Sequence, residues 1–247
     1  MIRESEDSLG QPRQRIFNAP TVVVTMLAVL LAVHGVREVL AEETSLWWTI
    51  ALAFVPARFV GLTNDIPGGD IATVTSFLTH ALVHGDTLHL TINCAWLLAF
   101  GSAVARRVGA IRFLGLFAGS AVAGAVLYLA MNGDAKTLAI MVGASGAISG
   151  LVGGAFRFLF RAMAADDPDG IGAAATWVPA MPLAAMVRDR QSCIAVAAWM
   201  VINLVFALTG PLFGWASAIA WEAHLGGFLF GLLAFSAFDT VSAAPRI

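Results

Sequence analysis

Six long apolar stretches dictate what this chain can become. They run over Thr21 to Val36, Leu88 to Ala105, Ala110 to Ala130, Ser145 to Arg161, Ser192 to Leu208 and Trp215 to Phe238. A helix needs about 20 predominantly apolar residues to cross a bilayer, and the stretches recur near that length. Only 12% of the residues are charged and 59% are hydrophobic, with a mean hydropathy of +0.82. A soluble domain carries about 25% charged residues. The chain therefore reads as an all-α, multi-pass membrane protein. One bundle of six transmembrane helices with a long first outer loop is expected over residues 21–240, between short tails at 1–20 and 241–247. The lipid bilayer is its surrounding partner. A formal net charge of −2 argues against nucleic acid as a partner. Cys94 and Cys193 lie in apolar segments, at a spacing that suggests neither a metal site nor a disulfide framework.

The connections carry their own signals. Residues 1 to 20 are polar and mixed in charge, unlike a signal peptide. The connection from 44 to 87 is long and partly apolar. Trp47, Trp48 and Phe54 suggest a segment at the interface, where aromatic rings prefer to sit. Pro56 and the stretch NDIPGGD at 64–70 break any long helix. Residues 164–190 form a polar, proline-containing loop, and Thr209 to Gly214 a tight one. Six spans put both termini on one side. With the N-terminus inside, the inner segments hold eleven arginines, whereas the outer ones hold only Arg37, Arg58 and Lys136. That bias places both termini in the cytoplasm, in a membrane of the bacterial inner-membrane type. No internal repeat is evident, which counts against an inverted-repeat transporter.

The sharpest local feature is MVGASGAISGLVGG at 141–154, with five glycines and two serines in an apolar run. A serine among small residues can sit on a sharp turn into a helix with its hydroxyl exposed, as in a nucleophile elbow. Small residues at helical spacing also let membrane helices approach closely. Counted from the inner end of its helix at about 1.5 Å per residue, Asn93 lies roughly 20 Å deep, Ser145 roughly 24 Å and His224 roughly 22 Å. The hydrocarbon core is about 30 Å thick, so the three fall at similar depth, several Å below the outer surface. A helix starting at Ser145 is too short to span. The approach from Lys136 is then non-helical backbone at membrane depth, tolerated where protein or a wet cavity surrounds it.

Strongly polar groups inside spans are costly and by default mark function. Serine and histidine form the minimal pair of nucleophile and base. Asn93 can donate a hydrogen bond to the oxyanion of a tetrahedral intermediate. His89, four residues earlier on the same helix face, is a second candidate donor. The backbone N–H of Ser145, at a helix N-terminus, is a third.

These residues also carry a resemblance. HALVHGDTLHLTINCAWLLAFG at 80–101, with GASG at 143–146 and Ala223-His224-Leu225-Gly226-Gly227, resembles the rhomboid intramembrane serine proteases. The family's H-x-x-x-N falls on His89 and Asn93, its G-x-S-G on Gly143 to Gly146, and its A-H-x-x-G on Ala223 to Gly227. The resemblance spans residues 70 to 238, in the right order on the second, fourth and sixth spans. It implies Ser145 as nucleophile, His224 as general base, and His89 and Asn93 as oxyanion-hole donors. It also implies a dyad without an acid, no metal or other cofactor, and transmembrane proteins as substrates entering beside the fifth helix. Where some members carry Trp-Arg ahead of the histidine-rich stretch, this chain has Thr75-Ser76.

Other residues take plainer expectations. Gly143, Gly146, Gly227 and Gly231 are read as helix-packing positions, with the last two bringing the sixth helix against the fourth. His80 and His84 are loop residues near the interface, and His34 is interfacial. Glu222, two positions from His224, faces away from it and points to outer water or a neighbouring helix. Asn203 pairs helices or lines a gate, Ser149 packs, and the loop around Gly210-Pro211 covers the site as a lid. The expected activity is endopeptidase cleavage of membrane-anchored proteins. The rivals are a catalytically inactive rhomboid-like protein that binds membrane clients, and a small-solute channel using the polar cavity.

Overall fold

The computed structural model describes residues 19–61, 65–133, 139–209 and 220–241. Both expected tails for the most part, the turn at Lys136, and the loop of Gly210, Pro211 and Trp215 lie outside the described residues. The helices are α1 Thr21–Val39, α2 Glu42–Leu52, α3 Gly69–Thr79, α4 Thr87–Val108, α5 Ala110–Asn132, α6 Ser145–Phe156, α7 Arg190–Thr209 and α8 Trp221–Phe238. Of these, α1, α4, α5, α7 and α8 are long and apolar enough to cross a membrane, and α6 is a shorter apolar helix. The protein is an all-α, multi-pass membrane protein. Among the described residues the β content is one isolated bridge, Phe54 with Met141.

The centre of the bundle is α6. Every residue from Gly146 to Phe156 is buried. Its glycines would be poor helix formers in water, but they let backbones meet. A Cβ on Gly227 of α8 would overlap the Gly146 carbonyl, and one on Gly231 would overlap the Gly150 carbonyl. On the other side, a Cβ on Gly124 of α5 would stand 2.7 Å from the Ala223 carbonyl oxygen of α8. Close packing of this kind drives helix association where lipid removes the hydrophobic gain.

The fourth span was expected to continue to Arg161. Instead α6 stops at Phe156 and resumes as the short helix Leu159–Ala164. Arg157 explains the break. Its guanidinium donates to the Met181 and Leu232 carbonyls at 2.7 and 2.8 Å and to Ser236 Oγ at 3.0 Å. Nearby, Arg107 pairs with both Asp239 oxygens at 2.8 Å and donates to the Ala175 and Val178 carbonyls. Two buried arginines, each with its N–H groups engaged, thus tie the 165–189 loop to the C-terminal ends of α4, α6 and α8. Buried cations persist only with such partners.

The long first connection is more ordered than its composition suggests. It holds α2, a 3₁₀ turn at Pro56–Val60, and α3. Arg58, 2% exposed, sits at its middle and donates to the Ala53, Ile50 and Pro67 carbonyls at 2.7–2.8 Å. Trp47 and Trp48 are exposed as expected, but Phe54 is fully buried. Its ring packs against Phe59, Phe77 and Tyr128, and its backbone pairs with Met141.

Candidate active site

The candidate site lies where the N-terminal ends of α4, α6 and α8 converge. The segment leading into it, residues 139–144, is non-helical, as the position of Ser145 requires. Protein groups meet its backbone at Met141, Gly143 and Ala144. Phe54 N–H donates to the Met141 carbonyl at 3.0 Å, Met141 N–H donates to the Phe54 carbonyl at 2.9 Å, and Gly143 N–H donates to the His80 carbonyl at 2.9 Å. Ala144 N–H points at His84 Nε2, 3.4 Å away. Gly143 has φ +111°, and a Cβ there would lie 2.6 Å from His89 Nε2. Glycine is thus demanded by a left-handed turn and a close imidazole. This corrects the expectation that Gly143 serves helix packing, since it precedes the helix. Gly146, Gly227 and Gly231 do lie at helix contacts.

Ser145 is the first residue of α6 and His224 lies in the first turn of α8. Ser145 Oγ and His224 Nε2 are 2.7 Å apart. The other ring nitrogen of His224, Nδ1, meets Asn203 Oδ1 of α7 at 2.5 Å. An amide oxygen only accepts, so Nδ1 carries the proton and Nε2 presents its lone pair to the serine hydroxyl.

Asp86 caps α4 by accepting from His89 N–H at 2.7 Å. This fixes the first turn that carries His89. His89 Nδ1 accepts from Gly85 N–H at 3.5 Å, which leaves Nε2–H as a donor beside Gly143. One turn on, Asn93 is 2% exposed and its Nδ2 donates to the His89 carbonyl at 2.8 Å. That uses one of the two amide hydrogens. Its Oδ1 has no partner among the described residues. The N–H groups opening α6 lack intrahelical acceptors by geometry. A cavity of about 150 Å³ joins these groups, lined by His89, Asn93, Ser145, Asn203 and His224 among others.

The other residues singled out in the sequence take the following places, some as expected and some not. His80 and His84 lie in the loop as expected but are buried, at 2% and 0% exposure. Burial pushes the His80 imidazole down to about 4. Burial above all, with His89, His34 and Arg37 nearby disfavouring a further positive charge, pushes His84 down to about 3. Both are neutral, and they brace the segment ahead of Ser145. His34, expected at the interface, is 6% exposed and meets Thr87 Oγ1 at 3.4 Å. Glu222 Oε1 accepts from Asn132 Nδ2 at 3.2 Å, away from His224. Ser149 Oγ donates to the Ser145 carbonyl. Asn203 pairs α7 with α8, as expected, but its partner, the His224 ring, is what sequence reasoning missed. The available signal was an amide inside an apolar span, but nothing local shows which ring it meets.

The fold and this pairing define a class: a helical, multi-pass membrane protein with a serine and a histidine from separate helices meeting beside a cavity. The family model described as the Rhomboid domain matches residues 72–238, and the chain belongs to the rhomboid family. It is similar to YdcA of Bacillus subtilis (strain 168), whose name proposes it as a rhomboid protease, at 34% identity over 130 residues. The match covers 50% of this chain and 62% of YdcA, so it spans less than two thirds of that relative.

Proposed function

We propose that the protein is an intramembrane serine endopeptidase acting through Ser145 and His224 on membrane-anchored proteins. The observation that carries this reading is the 2.7 Å approach of Ser145 Oγ to His224 Nε2. The acceptor nitrogen faces the hydroxyl, which is the arrangement a general base needs.

In the reaction Ser145 Oγ attacks the scissile carbonyl carbon while its proton passes to His224 Nε2. The carbonyl π electrons move onto oxygen. His89 Nε2–H, the second N–H of Asn93 and the backbone N–H of Ser145 supply hydrogen bonds to that anion. Collapse breaks the C–N bond, and His224 returns the proton to the leaving amine. Water then adds to the acyl-enzyme, with His224 again taking a proton, and releases the acid and Ser145. A substrate helix has to unwind locally to present an extended bond, which favours small or helix-breaking residues near the cut. The arginine bias supports cytoplasmic termini; the setting is taken as a bacterial-type inner membrane, with residues 21–240 as the protease domain.

The test is cleavage of a transmembrane reporter by the purified, reconstituted protein. Cleavage is expected with the wild type and lost in both Ser145→Ala and His224→Ala. Cleavage that survives both substitutions contradicts the reading.

A further inference from the structure

We infer that Asn203 is a positioning residue for His224, holding the imidazole in the tautomer that can accept the Ser145 proton. The inference rests on the protease reading for its kinetic consequence, but its structural part stands alone.

Two bonds set the Asn203 amide. Nδ2 donates to the Trp199 carbonyl within α7 at 2.8 Å, which turns Oδ1 outward to His224 Nδ1. A side chain serving helix pairing alone would need no particular end of the amide to face its neighbour. Here the donor end is used inside its own helix, and the acceptor end faces the one ring nitrogen that must carry a proton. Asn203 touches neither Ser145 nor any reacting atom, so its effect passes through the ring. When His224 takes the serine proton, Oδ1 also faces the Nδ1–H of the resulting cation.

The helix that supplies Asn203 is otherwise lightly held, with Ser192 and Trp199 as its buried residues. Trp199, one turn away, packs on Phe228 of α8 and Trp96 of α4 at 6.1 and 5.1 Å between ring centroids. Trp199 thereby sets the height at which Asn203 meets the ring. The titratable groups facing His224 are few. His89 of α4 lines the same cavity, while Glu222 on its own helix is held by Asn132.

The experiment uses the full chain in detergent micelles with ¹⁵N-labelled histidine, the His224 signals being assigned with His224→Gln. The wild-type ring should show the Nδ1–H tautomer. Asn203→Leu, close in volume but without an acceptor, should populate the Nε2–H form, and Asn203→Asp should restore Nδ1–H. In parallel, Asn203→Leu should lower kcat about 10- to 100-fold with KM nearly unchanged, less than the loss when an orienting carboxylate is replaced. Asn203→Asp should move the acid limb of kcat/KM about one pH unit upward, because a carboxylate favours the charged ring. Asn203→Ser reports the same tautomer change if the leucine variant does not fold. An unchanged tautomer in the folded Leu or Ser variant overturns the inference whatever the activity does. A changed tautomer in a chain whose wild type cleaves nothing upholds the positioning role and overturns the protease reading instead.

Discussion

Phe54 and Met141 exchange both of their backbone hydrogen bonds, at 3.0 and 2.9 Å, and so fasten the first loop to the segment that delivers Ser145. Met141→Pro removes one donor and forbids the exchange. Leaving the Phe54 carbonyl unpaired in a buried place costs about 1–3 kcal/mol. The expected outcome is a lower thermal midpoint in detergent together with loss of Ser145 reactivity, while Met141→Leu keeps both.

The oxyanion donors predict a kinetic split. Asn93→Ala and His89→Ala each remove a donor that acts once charge has formed on oxygen. Loss of one such donor costs about 10²–10³-fold in kcat. KM for a transmembrane reporter should change little, and Ser145 should still be present at a 2.7 Å approach to His224. Initial-rate measurements over a range of substrate density in vesicles check this.

Gly231 faces the Gly150 carbonyl so closely that a Cβ has no room. Gly231→Ala must push α8 away from α6, where the opposing atoms are backbone and cannot turn aside. Overpacking of this kind costs about 1–3 kcal/mol. The thermal midpoint should fall, and cleavage should fall with it because Ser145 and His224 ride on the two separated helices. Gly172→Ala, with nothing within 4 Å of its Cβ, is the control and should leave both unchanged.

His84 predicts a pH dependence of stability. Its imidazole is pushed down to about 3, chiefly by burial, from an ordinary 6.5, and His80 is lowered in the same direction. Above about pH 6.5 both rings are neutral folded and unfolded, and stability is fully present. As pH falls toward 3, the unfolded chain binds protons that the folded chain refuses, so stability is progressively lost. Thermal midpoints should therefore drop as pH falls from about 6.5 toward about 4. In His84→Asn the drop should be shallower, even if the variant is less stable at the upper pH.

Much of this molecule is legible in its sequence, for a physical reason. Membrane spans announce themselves by length and hydropathy, so α1, α4, α5, α7 and α8 fall close to their expected limits, although α8 is described from Trp221 rather than Trp215. The motif positions could be counted to a common depth because a helix has a fixed rise. What the sequence does not disclose are contacts between residues far apart in the chain. Arg58 reads as one outer cation, yet it organises the first loop through three carbonyls. Phe54 reads as interfacial, yet it is core. Arg157 ends α6 through partners on a later loop and on α8, which local hydropathy cannot register. Asn203 and His84 likewise depend on which ring or amide the fold brings to them.

The central claim is that His224 activates Ser145. The most direct measurement is labelling of the purified protein with a serine-reactive fluorophosphonate, with the adduct mapped by mass spectrometry. A single adduct is expected on Ser145, disappearing in His224→Ala while the thermal midpoint is kept. An adduct on another serine, or undiminished labelling of Ser145 in His224→Ala, would contradict it.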